Sequence, residues 1–233
     1  MAESLSIVVP MYNEQGIAQQ AVRKLLDAMK GYEADFEILI VESGSTDQTP
    51  KIVDELAKKH RQVRALHQKK KEGLGSAIRH GFGNSKMDLV LYMDGDNPFD
   101  AKVIRQAIPL MKDADAVLGY RLGDRESFKR WFFSKGYNAL IRLVVGVRVR
   151  DVNFSFKMLR KEALAKLDLR SNGFFIDAEI IAELKRKNCA WQEMGIPYTE
   201  RAEGSSTVRI GPKLIAGMLK EMFAYIGRKD GLR

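Results

Sequence analysis

One cysteine and three histidines leave little material for several kinds of chemistry in a chain of 233 residues. Cys189 stands alone, so no disulfide framework can form within the chain, which points to a reducing, cytoplasmic setting. His60, His67 and His80 lack the spacing of metal ligands. No stretch approaches the roughly 18 uninterrupted apolar residues of a membrane span. The chain is therefore not expected to cross a bilayer, although it can still lie on one. No signal peptide is expected either, because Glu3 interrupts the opening and a strand pattern starts at once. Internal repeats and low-complexity linkers are also missing, which suits one large α/β domain or a domain with an appendage. What is present is an ordinary globular balance, 45% hydrophobic and 30% charged, with enough apolar material for a core. The formal charge of +9 suggests an anionic partner: nucleic acid, nucleotide phosphates or an acidic membrane surface.

Short β-branched runs alternate with helical periodicity through the first half. Leu5 to Pro10, Phe36 to Val41, Val63 to Leu66, Leu89 to Met93 and Ala116 to Tyr120 read as strands. Helices are expected from Ile17 to Met29, after Thr49 and Pro50, from Gly73 to Gly81 and from Val103 to Ile108. Thr49 reads as an N-cap, with Pro50 at the first helical position. This alternation predicts a mostly parallel, doubly wound sheet, whose ligands bind beyond the carboxyl ends of the strands. After residue 120 the chain turns basic and aromatic. A helix is expected over 125–145, a strand from Ser155 to Leu159, and a helix from Ile176 to Lys187 with Glu179 and Glu183 on its polar side. Residues 201–211 read as a polar loop, and Lys213 to Ile226 as an amphipathic helix.

Three strand ends carry acids. Asp94 and Asp96, one residue apart just past an apolar strand, can converge on a hard cation such as Mg²⁺ or Mn²⁺ that bridges nucleotide phosphates. The plain alternative is an Asp/Gly turn. Pro10, Tyr12 and Glu14 open a helix after the first strand, with Tyr12 suited to stacking on a base and the helix N-terminus to a phosphate. Glu42 to Asp47 follows the second strand and includes Gly44; its acid suits a ribose hydroxyl or a base N–H. Each of these segments alone reads equally well as a capped turn. All three in order, each at a strand end, form a pattern that separate turns do not explain.

These segments together resemble the family 2 inverting glycosyltransferases of the GT-A fold, and among them the dolichol- or polyprenyl-phosphate sugar synthases. The resemblance runs over about residues 4–210: Val8 to Glu14, Ile40 to Asp47, Lys71 to Gly83, Asp94 and Asp96, Gly119 to Arg121, Ser134 to Asn138, Arg150 to Lys157 and Arg201 to Ser206. It implies a nucleotide-sugar donor, with GDP-mannose favoured, a metal on Asp94 and Asp96, and a donor site built from Pro10, Tyr12, Glu14, Glu42, Gly44, Asp94 and Arg201. It also implies transfer of mannose or glucose to a polyprenyl or dolichyl phosphate held by Arg121, Arg130 and Ser134. The chain departs from the family pattern at Glu42-Ser43, where two Asp are usual, and at Pro98, where a Gln often adds a metal ligand. It departs again at Gly204 to Thr207, which lacks the usual Lys.

A lipid phosphate is already ionised at neutral pH, so the acceptor needs cationic positioning more than a base. Asp151 is the candidate catalytic or orienting acid, and the first choice of base for a hydroxyl acceptor. The expected plan is a domain over 1–210, with a nucleotide-sugar half to residue 120 and an acceptor half beyond it, followed by an amphipathic tail over 211–233. Apolar residues among Lys and Arg in 125–145 suit a membrane interface as well as a core. That implies peripheral attachment to a cytoplasmic membrane face, with room for a membrane-protein partner. The runs Lys69 to Lys71 and Lys185 to Lys187 read as solvated charge. A hydroxyl acceptor on the same fold and a non-catalytic nucleotide-sugar-binding subunit remain as alternatives. Nucleic acid is not an expected partner, since the basic residues form no recognised binding module.

Overall fold

The computed structural model describes residues 2–95, 99–123, 128–197 and 211–228, the side chains of 128–135, 138 and 212 excepted. Seven strands form one sheet: β1 (Leu5–Met11), β2 (Phe36–Glu42), β3 (Val63–His67), β4 (Leu89–Met93), β5 (Ala116–Leu122), β6 (Phe156–Arg160) and β7 (Trp191–Pro197), in the order β3-β2-β1-β4-β6-β5-β7. β1, β2, β3 and β4 run parallel, β6 is antiparallel to both β4 and β5, and β7 is parallel to β5. The expected mostly parallel α/β sheet is present. Because β6 alone is reversed, its amino end meets the carboxyl ends of its neighbours.

Two cores follow from the alternation of side chains along central strands buried on both faces. Leu5, Ile7, Val9, Ile38, Ile40, Leu89 and Leu91 face α1 (Ala18–Ala28), α2 (Thr49–Lys59) and α4 (Val103–Ala107). Val8, Leu39, Val41, Val90 and Tyr92 face α3 (Leu74–Asn84), α5 (Phe128–Val145), α7 (Ile176–Arg186) and α8 (Pro212–Ile226), while α6 (Lys161–Leu164) is a single turn after β6. α3 can press on the sheet because Gly81 lies against Val8 and Val41, where a Cβ would collide.

The structure corrects several readings. Thr49 is the first residue of α2 rather than its cap, and its N–H donates to Asp47 Oδ1 at 2.9 Å. β7 was not anticipated. α7 has no polar side: Asp177, Glu179 and Glu183 are all buried. Oε2 of Glu179 accepts the N–H groups of Arg170 and Ser171, at 3.1 and 2.8 Å, and its Oε1 pairs with Arg228 at 2.8 Å. Glu183 accepts from Asp168 N–H, Arg186 and the Tyr225 hydroxyl. Lys185 and Arg186 are likewise engaged, Lys185 on the carbonyls of Val145 and Gly146. Within 125–145, Ile141 and Val145 belong to the core while Leu143 is 84% exposed; Phe128, Trp131 and Phe132 lie outside the described side chains.

Candidate active site

The loops after β1 and β2 are laced together at the carboxyl edge. Asn13, at φ 54°, donates its N–H to Ser45 Oγ (3.0 Å) and accepts from Thr46 N–H on Oδ1 (2.8 Å). The Glu14 N–H donates to Thr49 Oγ1 at 2.9 Å, and the Gln15 N–H to Asp47 Oδ2 at 3.2 Å. Burial works to raise the Asp47 carboxyl, but the bonds it accepts from Thr49 and Gln15 outweigh this and hold it below its ordinary range.

Pro10 sits in β1 opposite Val41, beyond the last residue that pairs with β4, so its missing N–H breaks no rung of the β1–β4 ladder. Tyr12 is half-buried and carries Lys71 Nζ 3.6 Å above its ring; Lys71 is exposed, as expected, and rests on that ring. Gly44 has φ +69°, and a Cβ there would lie 2.6 Å from the Lys70 carbonyl carbon; the chain that leaves β3 crosses directly over it.

Glu42 is 3% exposed at the end of β2. Its Oε1 accepts the Ser45 N–H at 2.5 Å, and its Oε2 faces His67 Nδ1 at 3.3 Å. His67 meets Asp54 of α2 through Nε2 at 2.9 Å. Burial alone would lower the imidazole pKa, but the two carboxylates overcome it and raise it above the ordinary value. Nothing in the sequence distinguished His67 from the other histidines.

Asp94 follows β4. It accepts the Ser155 hydroxyl on Oδ2 at 2.6 Å, and the Tyr92 hydroxyl lies 3.5 Å from Oδ1. Next to it the Glu14 carboxylate reaches so near Gly95 that a Cβ there would stand 2.9 Å from Oε2. Acids from two different strand ends thus stand beside Gly95, Glu14 through its carboxylate and Asp94 as the preceding residue. That donor chemistry fits a hard cation such as Mg²⁺ or Mn²⁺. Asp96 and Pro98 lie outside the described residues, as do Arg201 and the side chains of Arg130 and Ser134. Among the described residues no three acids, histidines or cysteines cluster as a ready metal cage.

The reversed β6 delivers the opposite wall. Asp151, Phe154 and Ser155, all buried, arrive at this edge, and Arg121 at the end of β5 lies with its guanidinium 5.8 Å from the Phe154 ring. Beneath them Lys157, 1% exposed, donates to the Phe154 carbonyl at 2.8 Å and forms an ion pair with Asp177. Burial pushes the Asp177 carboxyl up, against the pull of Lys157, and the nearby Asp151 adds to the rise. A cleft of about 1000 Å³ at the other edge, by Phe36, His60 and Gln62, takes no part in this arrangement.

A sheet that gathers acids and a basic side chain at its carboxyl edge, beside a strand-order switch between β1 and β4, is an open α/β fold of the kind that binds ligands at that edge. Residues 6–168 match the family described as "Glycosyl transferase family 2", and the chain belongs to that family. It is similar to glycosyltransferase AglD of Haloferax volcanii (29% identical over 210 residues, 85% of this chain and 34% of that one). It is also similar to the dolichol-phosphate mannosyltransferase of Pyrococcus furiosus (28% over 214 residues, 88% and 59%). The chain thus spans about one third to three fifths of the length of these relatives. The fold is GT-A. Glucosyl-3-phosphoglycerate synthase from Mycobacterium tuberculosis, crystallised with Mn²⁺, UDP-glucose and phosphoglyceric acid, shares it at a TM-score of 0.72 and 17% identity, over 99% of this chain and 81% of that one.

Proposed function

We propose that the chain is an inverting hexosyltransferase that moves mannose or glucose from a nucleotide sugar, GDP-mannose by preference, to a polyprenyl or dolichyl phosphate. The observation that carries this reading is Asp94 at the end of β4, fixed by the Ser155 hydroxyl from the opposite wall, with the Glu14 carboxylate close to the next residue, Gly95. The donor nucleotide lies along Pro10, Tyr12, Gly44 and the Glu42 loop, with Arg201 on its diphosphate. Asp94 and Asp96 hold Mg²⁺ or Mn²⁺. When bound, the cation neutralises charge that builds on the diphosphate leaving group. The Ser155 hydrogen bond orients Asp94 before the donor arrives, so less ordering remains to be done in the transition state.

The acceptor phosphate needs no strong base. Arg121, Arg130 and Ser134 position its oxygen for a single in-line displacement, which inverts the sugar carbon, and Asp151 orients the acceptor side. The name of the Pyrococcus relative supports the lipid acceptor, as does that of a dolichyl-phosphate beta-glucosyltransferase from Trichomonas vaginalis (29% identical over 232 residues, 93% of this chain and 70% of that one). No helix among the described residues is long and apolar enough to cross a membrane. Leu143 on α5 and Phe223 on α8, 84% and 64% exposed, support peripheral attachment to a cytoplasmic membrane face, where a membrane protein could recruit the chain.

The test is a thermal-shift titration with GDP, UDP, GDP-mannose and UDP-glucose, with and without Mn²⁺, followed by transfer to polyprenyl phosphate. A metal-dependent shift with one nucleotide and labelled lipid product are expected. No shift with any of the four would sink the reading. A second reading, UDP-glucose and a hydroxyl acceptor, draws on Asp151, a buried acid at the acceptor wall able to serve as base. Product on a soluble hydroxyl acceptor, and none on polyprenyl phosphate, would select it.

A further inference from the structure

Resting on the donor-site reading above, we propose that His67 is a positioning residue of the donor site: as an imidazolium it clamps Glu42 and so holds the 43–47 loop in its nucleotide-receiving form. The clamp is visible bond by bond. β2 and β3 pair Glu42 with His67, and the Gln68 N–H donates to the Glu42 carbonyl at 2.8 Å, which fixes both backbones. From that base the Glu42 carboxylate spans from the Ser45 N–H (2.5 Å) on one side to His67 Nδ1 (3.3 Å) on the other. Ser45 in turn receives the Asn13 N–H, so the carboxylate supports the loops after both β1 and β2. Asp54 holds the far side of the ring at 2.9 Å.

A neutral imidazole has one N–H and can donate to only one of the two carboxylates. The charged form donates to both. The groups that face the ring are Glu42 from β2 and Asp54 from α2, and both favour the charged form. The charge matters for a second reason. Glu42 is a buried anion at a site that must admit a nucleoside diphosphate, and His67⁺ offsets it. Glu42 with a neutral His67 would repel the ligand and loosen its own loop. Nucleotide affinity therefore depends on the protonation of a residue that lies behind the loop.

The sign of the pH dependence follows. The pKa of His67 is raised, so the clamp is complete below the ordinary histidine value. It is lost as pH rises through the raised one. The experiment measures the Kd of GDP and UDP with Mn²⁺ across neutral to mildly alkaline pH, together with donor KM and kcat. Wild type is expected to bind one nucleotide progressively more weakly as pH rises. His67→Ala should weaken binding roughly tenfold or more at the lower pH values, the worth of one hydrogen bond to a charged group. It should also flatten the pH profile and raise donor KM more than it lowers kcat. His67→Asn keeps a donor near the Nδ1 position without charge or titration, and should bind with an affinity between those of wild type and His67→Ala, with a flat profile. Asp54→Asn should move the loss of affinity to lower pH, and this variant carries the test if His67→Ala does not fold. If wild type binds a nucleotide but His67→Ala or Asp54→Asn leaves both affinity and profile unchanged, the clamp is wrong and the donor site stands. If wild type binds neither nucleotide, both fall.

Discussion

Two groups of buried or half-buried acids lie on this molecule, and they do different work. At the carboxyl edge, Asp94, Glu14 and Glu42 sit where strands end and loops face a ligand. On the α7–α8 side, Asp177, Glu179, Glu183 and Glu221 sit inside or beneath helices. There Glu221 accepts the N–H groups of Asn172, Gly173 and Phe175 at 3.0, 2.7 and 3.4 Å, and so ties α8 to the segment before α7. That segment is also the floor under α3, because the Asn172 carbonyl accepts the Ser76 N–H. One group of acids is placed to receive something; in the other, Glu179, Glu183 and Glu221 satisfy backbone groups that would otherwise be buried unpaired, and Asp177 pairs with Lys157. A buried carboxylate is thus read by its partners. Backbone N–H groups from a distant segment mark an architectural acid, and a single hydroxyl or histidine beside an open edge marks a functional one.

The sharpest way to break this contrast is to remove one charge of the buried pair. Lys157→Met leaves Asp177 buried without its cation and should cost about 3–5 kcal/mol of stability, measured by urea denaturation. A loss of activity with undiminished stability would move Lys157 into the functional group. Asp94→Asn should do the reverse, with turnover down about 100- to 1000-fold, comparable to losing one preorganised electrostatic contact, and a normal denaturation midpoint. Wild-type rates at saturating metal would remove Asp94 from the site. Glu221→Ala should lower stability by about 1–3 kcal/mol, since it strands several N–H groups, while nucleotide Kd stays unchanged. A weakened Kd would show that α8 reaches the donor loops through α3. The smallest effect concerns Glu37, also architectural. Burial works to raise its carboxyl, but the bonds from Ser6, Arg64 and the Lys86 N–H prevail and hold it below its ordinary range. Its contribution is present above the ordinary glutamate value and fades as pH falls through the depressed one. A Glu37→Gln variant should show a shallower loss of stability with acid than wild type.

The acceptor wall offers a further check on the same division. Arg130→Ala is expected to raise acceptor KM more than donor KM, and equal losses on both would take Arg130 off the acceptor side.

Much of the fold was legible because β1, β2 and β4 are buried on both faces and so read as largely apolar runs, interrupted only by Ser6 and Glu37 before the strand ends. β7 was not, since Trp191 to Gly195 are only half-buried and mix polar with apolar residues without clear alternation. The reversal of β6 was hidden as well: five residues of a buried strand read the same in either direction. Glu179 and Glu183 misled because acids four apart on a helix look like a solvent face, and their partners at 168–171 are distant in sequence. At the site, Asp94 was found by its place after a strand, whereas Ser155, which orients it, lies 61 residues away. His67 acquires meaning only from Asp54 and Glu42, which reach it from a helix and a neighbouring strand.

The crossing of Lys70 over Gly44 ties two loops into a single mechanical unit. The segment after β3 covers the loop after β2 at Gly44, and the two are expected to open together. In hydrogen exchange the amides of Ser45 and Gln68, both bonded to Glu42, should accordingly share one opening free energy and exchange together, with bound nucleotide slowing both to the same degree.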